Sequence, residues 1–319
     1  MTRLLIIRSG ALGDFILTLP VLDALRARFP GVQVDVLGNR AFVRLAMDGG
    51  HANECLDIDR SDMATLFTPH ASPFLGLADR LRRYDLAVTF FPDRDGVLKK
   101  NLLRGGVGRV IAIPYTPDPQ RRIHMTYRFM EPLTALGIAP LPPPPRLNRP
   151  QTTTAPVDEQ EPCVVVHPGS GGLRKCWPAE RYAALCDALT KRGVRVTLTA
   201  GPADTKTVEA VADRLRHPIP VADNLTLSEM AAFLRRSRAL VGNDSGIAHL
   251  AAAVGVSVTA IFGPTDPAVW GPRGDHVRIL WGRDVFSGDI GYVDWEGDGN
   301  PRPLEDVTVE RVLEVLCFF

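Results

Sequence analysis

Three short segments rich in glycine and polar residues carry most of the chemistry that this sequence could perform. The first is GALGD at residues 10–14, directly after an apolar run at residues 4–7. Glycines allow close approach of a backbone to a ligand, and open α/β sheets bind ligands at the carboxyl ends of their strands. Asp14 therefore has two interpretations, as a helix cap or as a general base facing a cleft.

The second segment, HPGSGGLRKCWP at residues 167–178, has the composition of a phosphate-binding loop. Its glycines and Ser170 offer hydrogen-bond donors, and Lys175 adds a mobile cation. An ordinary flexible loop with a solvated lysine is the alternative. The clustering of glycines, a hydroxyl and two cations at a strand end favours binding of an anion.

The third segment, GNDSGIAHLAAAVGVSVTAIFGPTDP at residues 242–267, is the most informative. Asp244 and Ser245 are good residues for a helix start, and the positive end of that helix would favour a diphosphate. His249 lies one helical turn after Ser245 and could donate to the same anion. A single histidine at a helix start is also common as a structural group.

The remaining sequence shows no pattern of a metal, redox or dinucleotide site. The other histidines lack HxxxH and HExxH spacing, and the five cysteines form neither a CxxC pair nor a disulfide framework. GALGD is not GxGxxG, and no Walker lysine follows it, which disfavours an NAD-dependent oxidoreductase and a P-loop protein. We therefore expect no metal, no cofactor and a reducing, cytoplasmic environment.

Positive charge is concentrated in the first half of the chain. Residues 1–150 contain 20 Lys and Arg against 14 Asp and Glu, whereas residues 151–319 contain 17 against 22. Either a solvated basic face or a site for an anionic acceptor or membrane surface explains this excess, and no signature of nucleic-acid recognition accompanies it. The basic residues that we assign to the acceptor hypothesis are Arg94, Lys99, Lys100, Arg121 and Arg122.

The three glycine-rich segments must be positioned by regular secondary structure, and the predicted elements alternate between strand and helix. In the first half, strands are predicted at residues 4–7, 33–37, 54–58, 86–91 and 110–113, and helices at 15–29, 41–47, 73–83 and 125–136. In the second half, strands are predicted at 163–167, 194–199, 239–242 and 257–262, and helices at 179–192, 203–216, 227–236, 247–254 and 307–316. This alternation predicts parallel sheets covered on both faces.

Composition and length divide the chain in two. The 319 residues are 45% hydrophobic, with mean hydropathy near zero, which is typical of a globular protein of two domains. A proline-rich stretch at residues 138–162 predicts a stiff linker, and residues 281–303 are expected to form a loop. The apolar stretch at the N-terminus is too short for a signal peptide or a membrane span, so any membrane contact is expected to be peripheral.

Taken together, SGALGD, HPGSGG followed by Lys175, and NDSGIAHLAAAVGVSVTAIFGPTDP resemble glycosyltransferase family 9, which includes the ADP-heptose:lipopolysaccharide heptosyltransferases. The likeness covers nearly the whole chain, in the right order. It implies an α/β protein of GT-B architecture, with two Rossmann-like doubly wound domains facing across a cleft. Residues 1–150 would bind the acceptor and residues 151–319 the nucleotide-sugar donor, and the C-terminal helix is a candidate to pack back on the first domain.

The resemblance also implies roles for individual residues. Asp14 matches the general base that takes the proton of the acceptor hydroxyl, and Lys175 would offset charge on the departing diphosphate. After Gly201, where heptosyltransferases carry an acidic ribose-binding residue, this chain has PADTK, with Asp204 as the possible substitute. The donor-binding residues implied in this way are Gly13, Ser170, Gly171, Lys175, Gly201, Asp204, Asp244, Ser245, Gly246 and His249.

The function implied is that of an inverting, metal-independent glycosyltransferase. It would move heptose from ADP-heptose to a lipopolysaccharide-core or related surface glycan, at the inner face of the cytoplasmic membrane. One alternative is a nucleotide-sugar epimerase or hydrolase of the same architecture, which would release sugar without an acceptor. The other is a non-catalytic nucleotide-sugar-binding protein, in which Asp14 would be retained only as a helix cap.

Overall fold

Two β-sheets, one before and one after the proline-rich segment, organise the molecule. The computed structural model describes residues 1–69, 75–149, 162–288 and 299–316. The predicted boundary between residues 150 and 151 lies outside these ranges. None of the helices in the described ranges has the length and apolar character needed to cross a membrane.

The first sheet has five parallel strands in the order β3-β2-β1-β4-β5. Its central strand is built from RLLIIR, whose four apolar side chains are completely buried because helices cover both faces. The strands are β1 (Arg3–Arg8), β2 (Gln33–Gly38), β3 (Glu54–Asp57), β4 (Leu86–Thr89) and β5 (Val110–Ala112). The helices are α1 (Leu12–Ile16), α2 (Leu19–Arg28), α3 (Arg40–Asp48), α4 (Leu75–Leu81), α5 (Val97–Arg104) and α6 (Met125–Met130), with 3-10 turns at Ser61–Phe67 and Glu131–Leu136.

The second sheet has seven strands in the order β12-β11-β10-β9-β6-β7-β8, all parallel except β12. Its strands are β6 (Val164–His167), β7 (Val196–Thr199), β8 (Val221–Ala222), β9 (Ala239–Asn243), β10 (Ser257–Phe262), β11 (Val277–Trp281) and β12 (Asp284–Ser287). Its helices are α7 (Ala179–Lys191), α8 (Thr205–Ala212), α9 (Leu227–Arg236), α10 (Gly246–Ala253), α11 (Pro267–Trp270) and α12 (Val309–Val315), with 3-10 turns at Leu173–Lys175 and Leu304–Asp306.

Both sheets therefore have doubly wound, Rossmann-like strand order. The order reverses between β1 and β4 in the first sheet and between β6 and β9 in the second. Loops on either side of such a reversal diverge and leave a crevice at the carboxyl ends of the strands. The three segments singled out from the sequence follow β1, β6 and β9, so each begins at one of these two crevices.

Several sequence-based expectations need correction. The helix predicted at residues 15–29 is broken into α1 and α2, with Pro20 in the first turn of α2, where a missing N–H is tolerated. Part of the expected loop at 281–303 forms the antiparallel pair β11 and β12, while residues 289–298 lie outside the described ranges. The C-terminal helix α12 packs against α7 and so covers the second sheet rather than the first domain.

The two halves share one apolar core. A single buried cluster contains Phe15 of α1, Val43 of α3 and Leu250 of α10, so the interface between the halves is continuous with the interior of each. The last described part of the proline-rich segment is also held in place. The Leu147 N–H donates to Ala253 O at 2.8 Å, and Arg235 donates to Leu147 O at 2.8 Å.

A buried polar network crosses this interface at His124. The ring accepts a hydrogen bond at Nδ1 from the Thr126 N–H at 3.2 Å and donates from Nε2 to Gly271 O at 2.8 Å. Arg273 donates to Thr126 Oγ1 at 3.0 Å. Burial, aided by the cation of Arg273, lowers the pKa of His124 to about 3, so the neutral imidazole is the form that the fold requires.

This network predicts a pH-dependent stability. An unfolded histidine has a pKa of about 6.5, so below that pH the unfolded chain binds a proton at His124. The folded chain does not bind this proton until the pH approaches about 3. The free energy of unfolding therefore falls as the pH drops from about 6.5 toward about 3. Between pH 7 and pH 5, we expect H124Q to lose about 2 kcal/mol less stability than the unsubstituted protein in urea unfolding. His167 and His249, whose pKa values burial also lowers, are present in both proteins. Equal losses would contradict the assignment.

Candidate active site

A cavity of about 310 Å³ lies between the two halves, where the segments after β1, β6 and β9 meet. Gly13 and Asp14 line it from the first half, and Lys175, Asp244 and Ser245 line it from the second. Its volume is at the lower end of the range for small-molecule sites. A carboxylate from one half thus shares a cavity with a lysine and a helix start from the other.

Asp14 is the third residue of α1, whose N-cap is Ala11, so Asp14 is not the N-cap residue. Its Oδ2 atom accepts a long hydrogen bond of 3.4 Å from the Ala11 N–H. Gly10 has a φ of +109°, and a Cβ at this position would lie 3.1 Å from Asp14 Oδ2. Glycine is therefore required twice over, for the backbone conformation and for the space that the carboxylate occupies.

Lys175 and Asp244 form an ion pair on the opposite wall. The distance from Lys175 Nζ to Asp244 Oδ2 is 2.7 Å, and the Asp244 side chain is only 9% exposed. Ser170 Oγ donates to the backbone oxygen of Asp244 at 2.7 Å. These contacts tie the loop after β6 to the loop after β9 and neutralise the lysine.

Asn243, a residue not singled out from the sequence, connects the loop after β6 to the end of β9 through hydrogen bonds. Its Nδ2 donates to Pro168 O at 2.7 Å, and its Oδ1 accepts from the Trp177 N–H and from Tyr182 Oη, both at 2.9 Å. All of these groups are buried, so each hydrogen bond satisfies an atom that water does not reach. The loop bearing Ser170 and Lys175 is thereby a fixed part of the site.

Helix α10 points its first turn at the cavity. Ser245 is its N-cap and accepts a hydrogen bond from the Ala248 N–H at 3.4 Å, as the sequence predicted. The partial positive charge of this helix end favours an anion in front of it. Burial lowers the pKa of His249, against the opposing influence of Asp244 and Asp14, so this imidazole is neutral at physiological pH.

Two glycines allow α1 and α10 to touch across the interface. A Cβ on Gly13 would lie 2.9 Å from His249 Cδ2, and a Cβ on Gly246 would lie 2.7 Å from Leu12 Cβ. Both glycines line the cavity, but each also makes room for the other half of the molecule. The packing of the two halves therefore sets the position of Asp14 relative to α10.

Gly201 and Asp204 are the two predicted donor-site residues that the structure leaves outside this cavity lining. Asp204 Oδ2 accepts from the Gly201 N–H at 3.0 Å and lies 3.9 Å from His167 Nε2. A Cβ on Gly169 would collide with the Asp204 carboxylate. The Asp204 carboxylate is thus turned inward to its own loop rather than toward the cavity.

The predicted acceptor-binding cations differ in their availability. Arg121 is paired with Asp118 and Glu131 at 2.8 and 2.7 Å. Arg122 forms a bidentate ion pair with Asp266 of the other half, at 2.5 and 2.9 Å. The side chains of the remaining three are exposed on the first half: Arg94, Lys99 and Lys100.

Thr265 and Trp270 also line the cavity, and sequence reasoning missed both. Thr265 follows the carboxyl end of β10, so the strand-end rule would have found it. Trp270 carried no such signal, because a single tryptophan more often packs in a core, as the almost fully buried Trp177 and Trp281 do here.

Within residues 1–69, 75–149, 162–288 and 299–316, the His, Cys, Asp and Glu side chains form no group of three or more that could hold a metal ion. The free thiols of Cys55, Cys163, Cys176 and Cys186 lie in these ranges.

Comparison with known proteins decides the family. A family model described as glycosyltransferase family 9 (heptosyltransferase) matches residues 139–288, which include β6, β9 and the whole second wall of the cavity. Residues 139–288 therefore form a glycosyltransferase family 9 domain. This match and the heptosyltransferase relatives confirm the family resemblance, and the chain is a glycosyltransferase.

Relatives of this family 9 chain match most of its length. It is 26% identical to lipopolysaccharide heptosyltransferase 3 of Escherichia coli, over 85% of this chain and 86% of the relative. It is 29% identical to lipopolysaccharide heptosyltransferase 1 of Pseudomonas aeruginosa, over 85% and 81% of the two chains.

Solved structures confirm the GT-B fold of this family 9 chain. The E. coli ADP-heptose lps heptosyltransferase II superposes with a TM-score of 0.76 at 22% identity, covering 99% of this chain and 97% of the other. The E. coli heptosyltransferase WaaC with ADP gives 0.68 at 19% identity, covering 99% of both. The two sheets described above are the two Rossmann-like units of that architecture.

The contact between α1 and α10 yields a testable prediction. In G246A the new methyl group would meet Leu12 Cβ at 2.7 Å and the Gly13 nitrogen at 3.1 Å, so one helix must shift. We expect a loss of about 1–3 kcal/mol in the free energy of unfolding, measured with urea.

The matched control for this substitution is G76A in α4, where a Cβ would meet nothing within 4 Å. We expect its stability to be unchanged or raised by up to about 1 kcal/mol, because alanine is the better helix former. If G246A unfolded at the same urea concentration as the unsubstituted protein, the close helix contact would be refuted.

Proposed function

We propose that this glycosyltransferase moves heptose from ADP-heptose to a hydroxyl group of a lipopolysaccharide-core or related surface glycan, with inversion at the anomeric carbon. The acceptor oxygen forms the new bond to that carbon as the bond to the diphosphate oxygen breaks. Asp14 takes the acceptor proton, and ADP leaves with the bonding electron pair. Residues 1–150 form the acceptor side and residues 151–319 the donor side.

The observation that carries this proposal is the shared cavity. Asp14 approaches from the first half, while Lys175 and the start of α10 approach from the second. A base and an anion-binding wall on opposite sides of one space are what a displacement between two substrates requires.

The donor wall suits a diphosphate for electrostatic reasons. Lys175 can exchange Asp244 for a phosphate oxygen, and Ser170, Gly171, Ser245 and the first N–H groups of α10 supply hydrogen-bond donors. Because His249 is neutral, it would contribute a hydrogen bond rather than a charge. These groups carry the leaving-group charge in the proposed reaction, which therefore proceeds without a metal.

The nature of the donor is supported by the relatives. A heptosyltransferase of E. coli with the same fold has been solved with ADP and with ADP-2-deoxy-2-fluoro heptose. The inward-turned Asp204 is the point at which this chain would differ, because its carboxylate is engaged by Gly201.

The acceptor is supported by the names of the relatives and by the charge of the first half. The chain is similar to lipopolysaccharide heptosyltransferases. Arg94, Lys99 and Lys100 are the exposed predicted cations, and they would attract an anionic glycolipid at the inner face of the cytoplasmic membrane. Arg121 and Arg122 would reach such an acceptor only after leaving their carboxylate partners.

Donor binding can be measured calorimetrically with ADP, UDP, GDP and CMP. We expect ADP to bind most tightly and K175M to weaken it about tenfold or more, because one charge-assisted contact to phosphate is lost. K206M, which removes an exposed lysine of α8 outside the cavity, serves as the matched control and should bind ADP normally. Preference for another nucleotide would refute ADP-heptose as the donor.

The role of Asp14 is tested by D14N. We expect kcat for transfer to fall about 10²–10⁴-fold, since the proton acceptor is removed while ADP affinity stays unchanged. The assay is run with ADP-heptose, a truncated lipopolysaccharide acceptor and excess EDTA. Full activity of D14N would remove Asp14 as the base, and loss of unsubstituted activity in EDTA would refute metal independence.

A further inference from the structure

Arg8 is a buried cation that has no role in the reaction proposed above. It is the last residue of β1, the central strand of the first sheet, and it is only 4% exposed. Its Nη2 atom lies 3.8 Å from Asp14 Oδ2, too far for a direct hydrogen bond but close enough for a strong charge interaction. Its Nε has no hydrogen-bond partner among the described residues.

Two aromatic rings flank the Arg8 guanidinium at the end of β1. Its carbon lies 5.3 Å from the ring centre of Phe90 and 5.4 Å from that of Phe129. The rings themselves pack edge to face at 5.1 Å. Cation–π contact replaces part of the lost hydration, and the packing leaves the side chain few alternative conformations.

Burial of this arginine is costly. It lowers the pKa of Arg8 below its ordinary value, and the Asp14 carboxylate is the group that opposes the shift. Arg3, at the other end of the same strand, shows the usual arrangement, with its guanidinium bound to Asp35 at 2.7 Å and to Glu54 at 3.2 Å. A buried charge without such close partners contributes little to stability.

The Asp14 carboxylate faces few other charges. Its polar contacts among the described residues, to the Ala11 N–H and to Arg8, both engage Oδ2. From the second half, the titratable groups facing the site are His249, which is neutral, and the ion pair of Lys175 with Asp244. Among the described residues, Arg8 is therefore the cation nearest to Asp14 that has no closer carboxylate partner.

We propose that Arg8 is a positioning residue for Asp14. The fixed charge of Arg8 draws Asp14 Oδ2 toward the end of β1 and so orients the carboxylate. Oδ1 is then the oxygen left to take the acceptor proton. This inference rests on the proposed function, because it assumes that Asp14 is the base.

The test compares R8M with the unsubstituted protein. Methionine fills the space between the two rings without the charge. We expect kcat to fall about tenfold or more, with the KM values for donor and acceptor unchanged, because a base that is no longer held in place is misaligned with the acceptor hydroxyl. R8K keeps a positive charge at this position and should restore most of the lost kcat.

Two further measurements separate this role from a structural one. The melting temperature of R8M should not fall, because a poorly paired buried charge has been replaced by an apolar side chain. R3M is the matched control from the same strand: it leaves the buried Asp35 without an ion-pair partner, so it should lower the melting temperature and leave the kcat of the folded fraction unchanged.

The outcomes are distinct. A kcat of R8M equal to that of the unsubstituted protein would overturn the proposal, as would activity that falls only with the folded fraction. A rise in the acceptor KM alone would show that Arg8 binds the acceptor instead. If the unsubstituted protein transfers no sugar, the proposed function fails, and the positioning role fails with it.

Discussion

The direct contact between α1 and α10 is the constraint on which the site depends. Leu12 and Gly13 of the first half meet Gly246 and His249 of the second, at distances that leave no room for another carbon atom. Because α1 carries Asp14 and the first turn of α10 faces the cavity, this contact sets the separation between the Asp14 carboxylate and the start of α10. The glycines common in nucleotide-binding loops here serve a second purpose, the packing of one half against the other.

Charge in the cavity is balanced before any substrate arrives. Lys175 is neutralised by Asp244, the Asp14 carboxylate lies close to Arg8, and burial keeps His249 neutral. Opposite charges held at these distances reduce the cost of desolvating each group. A diphosphate entering the site adds negative charge and competes with Asp244 for Lys175, so donor binding would rearrange an existing ion pair rather than fill a region of free positive charge.

The sequence was informative about residues close to a strand end. The meeting of Asp14, Lys175, Ser245 and their neighbouring glycines at one cavity could be predicted, because parallel strands bring their carboxyl ends to one edge. Arg8 could not be predicted, since an arginine closing an apolar run usually reaches solvent. Its burial depends on Phe90 and Phe129, which come from distant parts of the chain. The inward turn of Asp204 was likewise hidden, because it follows from the lack of a side chain at Gly169.

The polar contacts between the halves differ in what it would cost to break them. The His124 network is fully buried and crosses to Gly271, so separation there would leave unsatisfied groups away from water. The ion pair of Arg122 with Asp266 is partly exposed, and each partner could be hydrated if it opened. Separating the halves at His124 would therefore cost more free energy than opening the ion pair of Arg122, so the buried histidine network is the stronger of the two polar contacts.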